Sequence, residues 1–291
     1  MRTRTWQLAV VASLCLGTVG GPLPAGAWWG GGHEAMTRAS LRALPAQLPA
    51  FFRAGEDLAA HVAYDPDLLK NRAVPQLGRA EEPEHYWDVE LLRGATPPDT
   101  RYAFLDLCVR LKQKPSRVGL LPYAVAEWTQ RLAVAFAEHR AWPQDSHIQA
   151  KCLVYAGFLA HYAQDLCQPL HVTQDYDGRK GADGKVQGEG IHEWMDRLIE
   201  RLDLDAGRLA AVPRPLAADG LMPAIWDEIE TSRARLDAVY DLGPQLRGGT
   251  GKAVEAMALE RARAGVRFTA SLYQCAWETS ASVNLPDWLK R

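Results

Sequence analysis

His161 and Asp165 stand four residues apart, and His192 and Asp196 repeat that interval. On an α-helix such an interval puts two side chains on one face, one turn apart. Each pair therefore offers an imidazole nitrogen and a carboxylate oxygen to one point. Between the pairs runs Gln168-Pro169-Leu170-His171. Pro169 cannot continue a helix, so it turns the chain and lets His171 point back. Neutral imidazole and carboxylate are the nitrogen and oxygen donors that zinc takes in small coordination shells. A single His-x3-Asp pair reads as a hydrogen-bonded surface pair; two of them bracketing a histidine on a proline turn read as a metal site. A di-iron bundle would need two helical Glu-x-x-His motifs. Glu82 to His85 and Glu189 to His192 have that spacing, but Pro83 and Gly190 fall inside them, where a bundle helix would not tolerate them.

Two of the remaining histidines lie nearer the start. His33 follows Trp28 by five residues across Trp29-Gly30-Gly31-Gly32, and His85 sits in Glu84-His85-Tyr86-Trp87-Asp88. Each alone reads as a satisfied core histidine. Upstream of His85 comes Tyr64-Asp65-Pro66-Asp67-Leu68-Leu69-Lys70, with two carboxylates and a lysine.

The elements that must position these groups have a helical period. Of 291 residues, 47% are hydrophobic and 23% charged, an ordinary globular composition. The spacing predicts helices over 35–44, 100–111, 120–139, 147–166, 192–202, 224–239 and 253–277. Alternating strand patterns are nearly absent, and no Pro-, Gly- or Ser-rich linker divides the chain. The expected fold is one compact all-α, multi-helix domain over 28–291. The stretch 172–190 holds Gly178, Gly181, Gly184, Gly188 and Gly190 and reads as a loop of a length usually functional in compact domains. Net charge is −2 with no block of like charge, which excludes a broad duplex-binding surface but not a local phosphate pocket.

The first 27 residues read as a signal peptide. Arg2 and Arg4 precede an apolar run from Leu8 to Val19, and Ala25-Gly26-Ala27 forms a small-x-small cleavage site. Cleavage after Ala27 would leave Trp28 as the first residue and imply a secreted or periplasmic protein. Cys108, Cys152, Cys167 and Cys275 would then meet an oxidising compartment, with no pairing readable from spacing.

Taken together, the order and spacing resemble the superfamily of zinc-dependent phospholipases C and the single-strand-specific nucleases of the fungal and plant bifunctional type. The residues that carry the likeness are Trp28-x4-His33, Asp67, His85, His161-x3-Asp165-x5-His171 and His192-x3-Asp196. The resemblance implies an all-α fold built around a trinuclear zinc cluster. It places Asp67, His85, His161 and one oxygen of Asp165 at the first ion, with Asp65 a less favoured alternative to Asp67. It places the free amine and carbonyl of Trp28, His33 and the other oxygen of Asp165 at its close neighbour. His171, His192 and Asp196 fall to a third, more open ion. A water between the close pair would attack phosphorus, with Asp165 bridging and no protein general acid required.

Within that superfamily, Asp67-x2-Lys70, a last ligand of aspartate type and Tyr86 after His85 lean toward a nuclease. Lys70 would approach the substrate phosphate, Tyr86 would stack a base and Asp88 would accept from its edge. The resemblance thus favours a single-strand nuclease or 3′-nucleotidase acting on single-stranded nucleic acid or nucleotide. A phospholipase C acting on phospholipid head groups is the alternative, since His85-Tyr86-Trp87-Asp88 also resembles those enzymes. A zinc-binding protein without catalysis is the other class of reading. No stable protein partner is implied, and a monomer is expected.

Overall fold

In a computed structural model the chain is described over residues 28–181, 183–216, 220–248 and 251–289. The predicted signal segment and its cleavage site lie outside these residues. The first helix, α1 (Gly30–Arg42), starts two residues past Trp28. Four short helices follow: α2 (Ala50–Ala54), α3 (Glu56–Val62), α4 (Asp65–Leu69) and α5 (Pro75–Glu81). None was expected from periodicity, because five to seven residues give too few turns for an apolar stripe to repeat. Pro66 and Pro75 sit in the first turns of α4 and α5, where a missing N–H costs nothing.

Next come α6 (Arg101–Leu111), α7 (Pro115–Val118), α8 (Leu121–Ala141) and α9 (Ser146–Leu166). The Asp145 carboxylate accepts from the backbone N–H groups of His147 and Ile148, capping α9. The second half of α9, from Leu159 to Leu166, is buried on every face. Such a helix is apolar around its circumference unless a polar side chain has a purpose. It packs against α8, α3, α1 and the last helix, α15 (Lys252–Thr279). Between them lie α10 (Ile191–Asp196), α11 (Leu198–Arg201), α12 (Leu221–Arg233), α13 (Leu236–Asp241) and α14 (Gly243–Gly248). The expected helices over 192–202 and 224–239 are thus each split, at Arg197 and at Ala234–Arg235.

One large core gathers around α8, α9 and α15, and a second, smaller one gathers Trp28, Met36, Met195, Leu198 and Val266 beneath α1. The expected glycine loop contains one regular piece, an antiparallel pair of β1 (Arg179–Lys180) and β2 (Val186–Gln187). The four described cysteines are buried free thiols, with no disulfide among the described residues. No helix of the described residues is long and apolar enough to cross a membrane.

Candidate metal centre

Three groups of side chains each offer ligand atoms within 4.8 Å of one another: His33, His161 and Asp165; Asp67, His85 and His161; and His171, His192 and Asp196. α9 supplies the middle. Its His161, Gln164 and Asp165 have no solvent exposure at all, three strongly polar groups in a fully buried helix end. The Asp165 carboxylate is shared. Its Oδ1 lies 3.4 Å from His33 Nε2, and its Oδ2 lies 3.1 Å from His85 Nδ1 and 3.4 Å from His161 Nε2. Asp67 Oδ1 completes that side, 3.8 Å from both His85 Nδ1 and His161 Nε2. Donors held at 2.0–2.1 Å by one tetrahedral ion stand about 3.3 Å apart. These separations fit such an ion.

Hydrogen bonds behind the rings decide which nitrogens face inward. His33 Nδ1 bonds the Gln164 side-chain oxygen at 2.7 Å. His161 Nδ1 bonds the Ala63 carbonyl at 2.8 Å, and His171 Nδ1 bonds the His85 carbonyl at 2.7 Å. An amide oxygen only accepts, so each Nδ1 carries the proton and each Nε2 turns a lone pair to the centre. His33 Nε2, His171 Nε2 and Asp165 Oδ1 are buried with no hydrogen-bond partner among the described residues. Buried polar atoms are normally satisfied. Acceptor atoms that face one another and lack donors are suited to hold a cation, and the residues present fit one.

The electrostatics agree for four of these groups, whereas at His161 burial is outweighed by the carboxylates of Asp165 and Asp67, which raise the ring. Burial would raise the Asp165 carboxyl, but His161 and His171 hold it well below the usual carboxylate range. Burial lowers His33, helped by the neighbouring His161, so its ring favours the neutral, ligating form. His171 and His192 are likewise lowered, by burial first. Burial pushes the Asp196 carboxyl well up, and the Gln168 amide, donating at 2.7 Å to its Oδ1, opposes that push.

The third group is the one nearest the opening. His171 and His192 line the cleft together with His85, whereas His33 and Asp165 do not. His171 is braced in both directions. It donates to the His85 carbonyl, and its own carbonyl accepts from the Trp87 N–H at 2.8 Å. Behind it, Arg233 donates to Glu90 and to the Val172 carbonyl, both at 2.6 Å, and Glu90 accepts from Thr173 and the Gln174 N–H. On the rim, Tyr86 donates its phenol to the Ser116 carbonyl. The strand-like piece that carries it passes so close to Gly119, at φ +95°, that a Cβ there would lie 1.9 Å from the Tyr86 carbonyl oxygen. Only glycine fits.

The remaining expectations fall as follows. Asp67, not Asp65, points into the histidine groups; Asp65 belongs to none of them. The Lys70 ammonium sits 2.6 Å from Asp67 Oδ1 and also lines the cleft, so it neutralises a donor carboxylate as well as facing the space a phosphate would fill. Tyr86 and Asp88 both line the cleft. Burial, then the nearby Glu90, pushes the Asp88 carboxyl up to about 7. Trp28 is fully buried, and its indole N–H donates to the Gln164 carbonyl at 3.3 Å. Trp28 and His33 are therefore anchored to the same glutamine.

Sequence reasoning missed the residues that aim the donors. Gln164 accepts from His33 and donates to Thr37, and Gln168 holds Asp196 while accepting from the Leu170 N–H at 2.6 Å. Glu81 was also missed, lying 3.5 Å from His85 Nε2 and accepting from the Tyr162 phenol. A signal existed for the two amides: glutamines flank Asp165 on a helix end with no polar face left for solvent. Tyr176 was missed as well; it lines the cleft with its ring edge toward His192, centroids 5.6 Å apart.

No family profile matches the chain, and no curated protein matches it. Among solved structures it is similar to the alpha toxin from Clostridium absonum, with 13% identity and a TM-score of 0.47 over 92% of this chain and 67% of the toxin chain.

Proposed function

We propose that this protein is a zinc-dependent hydrolase of phosphodiester bonds. The observation that carries the reading is the shared, fully buried Asp165 carboxylate, each oxygen of which faces a different set of histidine nitrogens beneath an open cleft lined by His85, His171 and His192. Asp67, His85, His161 and Asp165 would hold one ion, His33, Asp165 and the freed amine of Trp28 a second, and His171, His192 and Asp196 a third. When bound, zinc supplies Lewis acidity and brings the pKa of water down toward ~7.

The chain's own groups do the rest. Asp165 fixes the spacing of the two deeper sets because one rigid carboxylate serves both. Three Nδ1–H bonds stop the rings from turning, so the donors are oriented before any ion arrives. Lys70 holds Asp67 in line and puts positive charge where a phosphate would lie. Tyr86, pinned through its phenol, presents a flat ring at the mouth. The third set has three protein donors and faces the cleft, which suits a catalytic site more than a closed structural one.

The cavity is about 380 Å³, enough for a nucleotide or for a phospholipid head group. The phospholipase C reading fits this space at least as well as the nuclease reading. Hydrolysis of bis(4-nitrophenyl) phosphate by zinc-loaded protein, lost in Asp165→Asn, is the expected result; no turnover of any diester at full zinc occupancy sinks the proposal. Rates on single-stranded DNA and RNA against short-chain phosphatidylcholine then choose the substrate. The proposal extends to export, with processing after Ala27 freeing the Trp28 amine. Processed protein should carry more zinc than an N-terminally tagged form, and equal zinc content would remove Trp28 from the ligand set.

A further inference from the structure

The rim of the cleft has a charge the rest of the molecule lacks. The chain as a whole is slightly acidic, at −2. Yet the charged side chains lining the cleft, histidines aside, are Lys70, Arg72, Arg79 and Arg117 against only Glu82 and Asp88. Lys70 is committed to Asp67. Arg72, Arg79 and Arg117 are exposed, and none forms an ion pair with another described residue. Arginines elsewhere are used differently: Arg42, Arg101, Arg179 and Arg235 each hold a carboxylate at 2.5–2.7 Å. Arg72, Arg79 and Arg117 instead line one cavity together.

Size sharpens the point. A cavity of about 380 Å³ is filled by the scissile phosphate and one attached group. Any further phosphate of the same substrate must lie on the rim, where the arginines are. Guanidinium is the side chain suited to it, because its fork matches two phosphate oxygens at once. Two rings, Tyr86 and Tyr176, line the same cavity and supply flat faces for unpaired bases.

From these observations we infer a second anion subsite, formed by Arg72, Arg79 and Arg117, that binds the phosphate next to the scissile one in a single nucleic-acid strand. This rests on the phosphodiester hydrolase reading and deepens it by naming the substrate class. The subsite discriminates against zwitterionic head groups, which bring no second phosphate.

The test compares two soluble substrates, thymidylyl-thymidine and the same dinucleotide carrying a terminal phosphate, with bis(4-nitrophenyl) phosphate as the reference diester. The full zinc-loaded protein should turn over the phosphorylated dinucleotide with a kcat/KM about tenfold higher, through KM, since charge-assisted hydrogen bonds to the added phosphate strengthen binding. The double variant Arg72→Ala/Arg79→Ala should bring that ratio close to one while still hydrolysing the unphosphorylated dinucleotide and the reference diester. Arg72→Lys/Arg79→Lys should retain part of the ratio and flatten the salt dependence less than the alanine pair. A ratio near one in the wild type, or an unchanged ratio in the alanine pair, overturns the subsite. So does turnover of the reference diester with neither dinucleotide cleaved, or cleavage confined to anionic phosphatidylglycerol vesicles, which would assign the arginines to a lipid surface. Absence of turnover on the reference diester fails the hydrolase reading itself, so the two failures are told apart.

Discussion

Two buried polar clusters adjoin the end of α9, two residues of chain apart, and they are built on opposite plans. On one side Asp165 meets His33, His85 and His161, and His33 Nε2 and Asp165 Oδ1 face each other with no hydrogen-bond partner among the described residues. On the other, Cys167 meets Glu228, and Arg261 lies 3.9 Å from Glu228 and 3.3 Å from the Ser232 hydroxyl. Arg261 is 3% exposed, and the second cluster sets it against a carboxylate of opposite charge, although Glu228 Oε1 and Arg261 Nε lack hydrogen-bond partners among the described residues. In the first, Lys70 balances Asp67, while Asp165 faces imidazoles. A buried set of like donors is costly unless something positive joins it, whereas a buried ion pair is self-contained. The contrast teaches where to look for a cofactor: not wherever buried polar atoms lack partners, since both clusters hold some, but where those atoms are acceptors turned toward one another.

The largest break in this comparison is Asp165→Asn, which keeps the shape and removes the shared charge. We expect turnover to vanish and zinc content, measured by elemental analysis, to fall by two ions. Chelation of the wild type should lower its thermal midpoint, because an ion bound only by the folded chain stabilises it by mass action. The same chelator should leave the midpoint of the apo Asp165→Asn protein where it was. Next in size is Arg261→Ala. It leaves the half-buried Glu228 without this partner and should cost about 3 kcal/mol or less in denaturant unfolding, with zinc content unchanged. Loss of zinc in that variant would show that the two clusters are coupled.

Gln168→Leu removes the donor to Asp196 and the acceptor of the Leu170 N–H. Its zinc affinity at the third set should drop about tenfold in competition titrations, while the two deeper sets hold. The smallest effect is an absence. Burial raises all four described thiols, pushing Cys152 up to about 12. Thiolate is the reactive form. Iodoacetamide at pH 8 should therefore leave the native protein unmodified and its activity intact, and label these cysteines only after denaturation.

The part of the site that was legible in the sequence is the part that is local. His161 to Asp165 and His192 to Asp196 are each one helical turn, and Pro169 announces the bend before His171. The long helices α8, α9 and α15 show through their period for the same reason. The unreadable parts depend on distant partners. Helices of five residues such as α2 and α4 exist because the core accepts them, not through propensity of their own. The breaks at Arg197 and Ala234 interrupt runs of good helix formers and leave no trace in the pattern. Arg233 and Glu90, which clamp the backbone after His171, are separated by 143 residues. The resemblance favoured Asp67 over Asp65, but nothing in the local pattern decided between two carboxylates of one short helix; the packing of α4 on α9 brings Asp67 to His85 and His161.

Gly157 never approaches the cleft. A Cβ there would lie 2.7 Å from both the Ala59 carbonyl oxygen and the Val62 Cβ, so α3 and α9 cross with no room for even a methyl group. That crossing delivers the Ala63 carbonyl to His161 Nδ1. Anyone ranking positions by how badly they tolerate replacement will find this glycine beside the metal donors and take it for part of the chemistry. Its intolerance has a different origin: it sets the distance between two helices, and the proton on a histidine depends on that distance.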